Sequence, residues 1–313
     1  MWKIKVLIQF VLAHLPFGEQ INHWLQLLNS GDGSKLQVRI DAIGAGLKRL
    51  IEVRPIEGAV IVEVGTGWDA LPTIMLYAAG AKQVHTYDHV RHLRADMVMA
   101  AIRKLLANAD LLSGYLGSPA SLITERLGRA LAACDTGLSS FFAATGIVYN
   151  APADALSTGL PDRSVDIYYS YTVLEHVPEY VAQGIAREAR RLLKQDGVYY
   201  AAIWLHDQYS GFDKRITAVN FLRYPEWLWA LLVKNKISYM NRLRERDFLD
   251  MLEKQDAEIV KVTSILNPEN VQHVKSMKID KRFANYSPEE LAVTFTEIIA
   301  QWPDRSRLHS AAE

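Results

Sequence analysis

The chain opens on apolar residues recurring at helical spacing and then changes rhythm. Up to residue 53 the pattern reads as helical throughout. MWKIKVLIQFVLAHLPF begins it, and Leu36, Val38, Ile40, Ile43, Leu47, Leu50 and Ile51 carry it on until Pro55 and Gly58 interrupt. From Ala59, short apolar runs alternate with longer periodic stretches. AVIVEVG, QVHTYD, GIVYNA, VDIYYSYTV and GVYYAAIWL read as strands, while DALPTIMLYAAGA, RHLRADMVMAAIRKLLANADLL and PEYVAQGIAREARRLLKQ read as the helices between them. Such alternation predicts an α/β domain, a mostly parallel sheet with helices on both faces and right-handed crossovers. Further on, RDFLDMLEKQ reads as a helix, and AEIVKVTSIL and LAVTFTEIIA as two strands joined without an obvious helix, hence antiparallel to each other. The expected division is an N-terminal helical extension over 1–53 and a main domain over 54–313, with a lid-like helical insertion at about 208–246.

Composition narrows the function more than the fold. The 313 residues carry 35 basic and 35 acidic side chains, a zero net charge that argues against nucleic acid as the partner, because phosphate binding draws on a surplus of Lys and Arg. Locally the balance shifts: between His206 and Arg246 eight Lys and Arg residues face four acids, beside the expected site. The single cysteine, Cys134, excludes an intrachain disulfide and any multi-thiolate zinc site and fits a reducing compartment, so a cytoplasmic protein is expected. The N-terminal apolar run is broken by Gln9 and His14 and stops at Pro16, short of the roughly 20 residues of a membrane span. It reads as an amphipathic helix docked on its own domain, with weak peripheral membrane contact as the minority reading.

The chemistry concentrates in VIVEVGTGWDALPTIMLYAAGA. Glu63 ends a strand, Gly65 and Gly67 make a tight turn around Thr66, and a helix starts near Asp69. Glycines suit such a turn because it needs unusual backbone angles and lets a ligand approach the main chain. Asp88 closes the next strand, where a carboxylate can accept two hydrogen bonds from a ribose diol. A plain strand-to-helix turn and a strand-ending Asp account for either piece alone, and much less well for the pair. Nicotinamide dinucleotides and S-adenosylmethionine both fit. Glu63 favours the second, since a carboxylate beside the turn repels a pyrophosphate but can receive an ammonium group.

At these residues the chain resembles the class I S-adenosylmethionine-dependent methyltransferases, particularly their bacterial type-11-like branch. The resemblance runs from about Ala59 to Leu205 and rests on EVGTG with Asp88, on ADALSTGLPDRSVDIYYSYTVLEHV and on RLLKQDGVYYAA. It implies a Rossmann-like seven-stranded sheet with an antiparallel last strand and S-adenosylmethionine as cofactor. It places Glu63, Gly65, Thr66 and Gly67 along the methionine and ribose, Asp88 on the ribose, Asp154 and Ala155 beside the adenine, and Ser170 and Tyr171 next to the sulfonium. The pair Glu175 and His176 is expected to orient the turn after the fourth strand rather than to catalyse. Asp69, preceded by Trp68, stands where the family commonly has a third glycine.

Methyl transfer from a sulfonium is a direct displacement, so alignment and water exclusion supply most of the acceleration. A base is needed chiefly when the acceptor must lose a proton. In WLHDQYS, His206 is the candidate base with Asp207 orienting it, against the plainer reading of a loop cap; the pair offers too few ligands for a metal site, and none is expected. Arg223, Arg242 and Arg244 are candidate clamps for an acceptor carboxylate or phosphate, Trp227 and Trp229 candidate shields against water, and Tyr239 a further substrate-binding candidate, against the plainer reading of residues flanking a helix start and anchoring the core. The expected activity is methylation of a small-molecule, glycan-linked or biosynthetic-intermediate acceptor at oxygen or nitrogen. An NAD(P)-dependent oxidoreductase and a non-catalytic cofactor-fold subunit are the competing readings.

Overall fold

The structure, a computed structural model, describes residues 2–17, 33–233, 235 and 237–303. Its centre is a seven-stranded sheet of β1 (Val60–Val64), β2 (Gln83–Tyr87), β3 (Ile147–Asn150), β4 (Val165–Tyr171), β5 (Leu193–Trp204), β6 (Glu258–Leu266) and β7 (Val293–Gln301), in the order β3-β2-β1-β4-β5-β7-β6. β1 to β5 run parallel, and β7 enters antiparallel between β5 and β6. The sheet is the Rossmann-like one expected, including the antiparallel final strand. Strand order reverses between β1 and β4, so their carboxyl ends leave a crevice between loops that depart in opposite directions.

The unbroken apolar-aromatic runs of β4 and β5 follow from burial on both faces. Strand alternation sends Tyr169 and Tyr200 to one side, stacked at 4.9 Å, and Tyr168 and Tyr199 to the other, stacked at 6.0 Å. The first face is covered by α2 (Gly33–Ile51), α3 (Leu71–Ala78), α4 (Ala95–Leu106), α5 (Ala109–Leu116), α6 (Ala120–Cys134) and α7 (Leu138–Thr145). The second is covered by α8 (Glu179–Leu192) and, after α9 (Glu226–Val233), by α10 (Glu245–Glu253). The stretch read as one helix from Arg91 to Leu112 is divided at Ala107 and Asn108, and residues 113–145, unassigned from sequence, supply the rest of α5 with α6 and α7. The β2-to-β3 crossover therefore carries four helices.

Two further expectations change. The connection between β6 and β7 does contain a helix, α11 (Pro268–Ser276), opened by the Asn267 side chain accepting from Glu269 N at 2.9 Å, and a short α12 (Pro288–Ala292). The N-terminal region is also not one layer. Of the residues read as its helical continuation, 18–32 lie outside the described residues. α2 buries Ile40, Ile43, Leu47 and Leu50 in the main core, whereas α1 (Trp2–His14) packs elsewhere. Val6 of α1 joins Phe221, Trp229, Val271 and Phe283 in a third core that unites α1, the stretch after β5, and the segment after β6.

At the amino end of β4, Asp166 accepts from Val60 N at 2.9 Å and pairs with Arg54 at 2.6 Å and Lys194 at 2.9 Å. This polar clamp ties β1, β4 and β5 at the end away from the crevice.

Candidate functional site

A cleft of roughly 500 Å³ opens at the carboxyl ends of β1, β2 and β4, a size within the ordinary range for small-ligand sites. Gly65, Thr66, Gly67, Asp88, Asp154, Ala155 and Tyr171 all line it, with Arg39, Leu156, Val173, His176 and Ile185 among the other walls. The structure thus brings seven of the nine expected cofactor residues to one surface. The other two, Glu63 and Ser170, are fully buried beneath it.

The glycine turn is shaped for close approach. Gly65 and Gly67 have φ of +92° and +68°, the left-handed region that glycine adopts without strain. A Cβ at Gly65 would fall 2.2 Å from Val173 Cγ2, whereas one at Gly67 would meet nothing within 4 Å. Thr172, at the end of β4, lines the same cleft at φ +55°, which costs a β-branched residue about 1–2 kcal/mol and places stored backbone strain at the site.

Asp88 accepts from Gly67 N at 3.2 Å, Val90 N at 3.3 Å and His89 Nδ1 at 3.2 Å. Burial raises its pKa, but these donors outweigh it and leave the carboxyl below its ordinary value, so it is ionised at neutral pH. Glu63 behaves in the opposite way. Its side chain, 1 % exposed, accepts from the Thr73 hydroxyl through Oε2, while Oε1 has no partner. Burial pushes its pKa up to about 7, against the pull of the Thr73 and Thr86 hydroxyls. A buried carboxylate oxygen without a partner, under a turn open to ligand and beside an ionised ribose-type acceptor, suits a ligand that brings both an ammonium group and a diol. The residues present fit S-adenosylmethionine.

Asp69, at the position of the usual third glycine, does not protrude into the cleft. It receives Arg39 of α2 in a two-pronged ion pair at 2.5 and 3.1 Å and caps Leu71 N at 3.2 Å. The substitution therefore anchors α2 to the glycine turn and sets Arg39 in the cleft wall.

The residues expected for catalysis and acceptor binding are distributed differently. Asp207 does not orient His206: it is completely buried and accepts from Tyr209 N at 2.9 Å and Asn220 Nδ2 at 3.1 Å, capping the 3₁₀ turn Gln208–Gly211, and burial pushes its pKa up to about 6. The loop-cap reading is the one the contacts favour. His206 is half-buried, edge-on to Trp204 at 4.9 Å, and its Nδ1 has no partner. Arg242 is no acceptor clamp either. Its side chain is 0 % exposed and donates to Phe221 O at 2.9 Å, Tyr224 O at 2.6 Å and Glu226 at 2.7 Å. Trp227 stands exposed on α9, and Arg223 lies in a recess with Lys3, Lys278 and Lys281. None of these five lines the cleft, and neither does Tyr239. Among the described residues of that stretch, Arg215, Arg242, Arg244 and Arg246 are held by acids or carbonyls, and none of its basic residues lines the cleft.

His176, read from sequence as structural, lines the cleft. Its Nδ1–H donates to Tyr239 O at 2.9 Å, which leaves Nε2 as the lone-pair nitrogen, and its crowded surroundings lower its pKa below the ordinary 6.5. Tyr239 thus enters the site through its carbonyl. The strap it begins is held on both sides: Trp229 Nε1 of α9 donates to Met240 O at 2.9 Å, and Asn241 Nδ2 donates to Leu174 O at 2.6 Å and Val177 O at 2.9 Å. Only the histidine's type and its place after β4 could have signalled this from sequence.

A Rossmann-like sheet with a buried acid under a double-glycine turn and an ionised Asp at the next strand end makes a site for a nucleoside cofactor. Residues 122–201, from α6 to β5, match the family described as "Methyltransferase domain". That match supports an S-adenosylmethionine-dependent methyltransferase, with S-adenosylmethionine as the cofactor. Similar solved structures include a candidate methyltransferase from Bacillus halodurans C-125 (17% identity, 82% of this chain and 99% of that one, TM-score 0.44). A geranyl diphosphate methyltransferase in complex with S-adenosylmethionine shares 13% identity over 87% of this chain and 92% of that one, with a TM-score of 0.45. A candidate S-adenosylmethionine-dependent methyltransferase from Listeria monocytogenes shares 13% over 83% and 99%, also at 0.45. No curated protein matches.

Proposed function

We propose that this methyltransferase acts on a small-molecule or biosynthetic-intermediate acceptor through an oxygen or nitrogen nucleophile, with His176 as the base when that nucleophile must lose a proton. The observation that carries the reading is the position of His176, in the wall of the same cleft as Gly65, Gly67 and Asp88 and with its tautomer fixed by Tyr239 O. The bound cofactor supplies an electrophilic methyl group on sulfur. Asp88 accepts the ribose hydroxyls, Glu63 answers the ammonium group directly or through water, and Asp154 with Ala155 borders the adenine. Leu156, Val173, Val177 and Ile185 exclude water from the reacting end. The neutral imidazole receives the acceptor's proton at Nε2, and the developing imidazolium keeps its Nδ1–H bond to Tyr239 O.

Incubation with methyl-labelled S-adenosylmethionine and a metabolite extract, followed by mass analysis, tests the reading. Labelled product should fall by about 10²- to 10⁴-fold in His176→Ala, with cofactor binding retained, and persist in His206→Ala. Full activity of His176→Ala removes the base assignment; the opposite pattern restores it to His206.

A further inference from the structure

α1 is apolar on the side that faces away from the protein. Val6, Gln9 and Leu12 point inward, and Ile4, Leu7, Ile8, Val11 and Leu15 recur at helical spacing along the outward side, between 44% and 63% exposed. Two residues of α9, Trp227 at 68% and Leu231 at 56%, extend the exposed apolar surface, since α1 and α9 pack together over Trp2, Val6, Leu228 and Trp229. An outward apolar stripe is the reverse of a helix that merely covers a core.

The rim of this surface is cationic. Lys3, Arg223, Lys278 and Lys281 line one recess that shares Lys3 and Tyr224 with the apolar groove between the two helices. All four are exposed, and among the described residues none is ion-paired. Of the acids nearby, Asp213 is held by Arg215 and the Trp2 amide and Glu226 by Arg242 and Arg282, while Asp280, in the same recess, caps the turn at Arg282 N and stands as one negative charge against the four cations. α1 itself has lysines and no acidic residue.

We propose that the outward faces of α1 and α9, with this basic rim, dock on the surface of an anionic lipid bilayer. At 13 residues α1 is about 20 Å long, too short to cross the roughly 30 Å hydrocarbon core, and no described helix is long and apolar enough to span it. A short helix with apolar residues on one side and lysines at the edge instead lies in the plane of the headgroup boundary. The unpaired cations select the occupant. A second copy seated symmetrically would bring the same cationic rims together, whereas anionic headgroups neutralise them.

Flotation of the full chain with phosphatidylcholine vesicles, with and without phosphatidylglycerol, tests the inference independently of activity. Binding should require phosphatidylglycerol, weaken with salt, and blue-shift the tryptophan emission, with the shift reduced in Trp227→Phe. Ile4→Ser/Leu7→Ser/Ile8→Ser, all at exposed positions, should abolish flotation while leaving the melting temperature unchanged. Lys278→Ala/Lys281→Ala should weaken it about 25-fold, roughly fivefold per lost cation. The inference is overturned by absence of binding at low salt, by equal binding to neutral vesicles, by full binding of the lysine variant, or by a dimer that the triple variant dissociates without any vesicle binding.

Discussion

Replacing Glu63 by Gln should make the unliganded protein less sensitive to pH and its cofactor affinity lower. The carboxyl titrates at about 7 in the folded chain against 4.5 when unfolded, because burial disfavours its charge and Oε1 has no donor. Between those two values the native state holds the proton more tightly, so stability falls as pH rises from 4.5 to 7 and stays lowered above it. A shift of this size corresponds to about 3 kcal/mol, most of it appearing between pH ~5 and ~7.5. Gln removes that slope. Its amide adds a constant cost of about 1–2 kcal/mol for a buried N–H without a partner, leaving the variant roughly 1–2 kcal/mol more stable than wild type above neutrality, or a few degrees in Tm. Thermal melts from pH 5 to 8.5 in both proteins, with calorimetric titration of S-adenosylmethionine, measure the two sides. The variant's advantage above neutrality must reverse towards acid pH, where wild type should be the more stable by about 1 kcal/mol near pH 5. Parallel curves, or a cofactor affinity unchanged by the loss of the carboxylate, would refute the reasoning.

The other predictions concern neighbouring parts of the same structure. Asp88 spends one of its contacts on a histidine whose side chain is 86% exposed, so two ribose hydroxyls can be accommodated; Asp88→Ala should weaken cofactor binding by about 2–4 kcal/mol, roughly 30- to 1000-fold, and a calorimetric change under threefold in a folded variant would exclude the ribose role. Gly65→Ala should destabilise by about 2–4 kcal/mol from its φ of +92° and the contact with Val173, and a Gly65→Ala/Val173→Ala double variant in urea melts should recover only the steric share. Arg244 is fully buried and donates to Leu205 O, Leu291 O and Val293 O, which joins the ends of β5 and β7; Arg244→Met should cost about 3–5 kcal/mol in urea unfolding, with Lys restoring a minority of it.

How much of this was legible in the sequence depended on whether a residue's role is set locally. The strand runs, the double-glycine turn and the antiparallel closing pair depend on short-range pattern, and they stand where the pattern put them. α6 and α7 escaped because their few apolar positions, such as Ile123, Leu127 and Ala130, are diluted among small and polar residues and gain their burial from the helices beside them. Arg242 and Asp207 were misassigned for a different reason. A charged side chain beside a predicted site looks the same in sequence whether it points at a ligand or at two carbonyls and a carboxylate 16 to 21 residues away. The place of His176 in the cleft wall is hidden by the same token, since the carbonyl that selects its tautomer lies 63 residues along the chain.

The strap from Tyr239 to Asn241 gives that long-range bond a further meaning. One of its carbonyls holds the indole of Trp229 and the adjacent one holds the imidazole of His176, so a ring of the third core and a ring of the cleft wall hang from consecutive peptide units. The two peptide planes meet at the Met240 Cα, whose φ and ψ are the only soft torsions between them, so the seating of Trp229 and the hydrogen bond to His176 are joined through a single residue. A histidine in the cleft wall and a tryptophan of a helix beside α1 thus share one short piece of backbone, and the His176 nitrogen resonances in a Trp229 variant would show how far the two are linked.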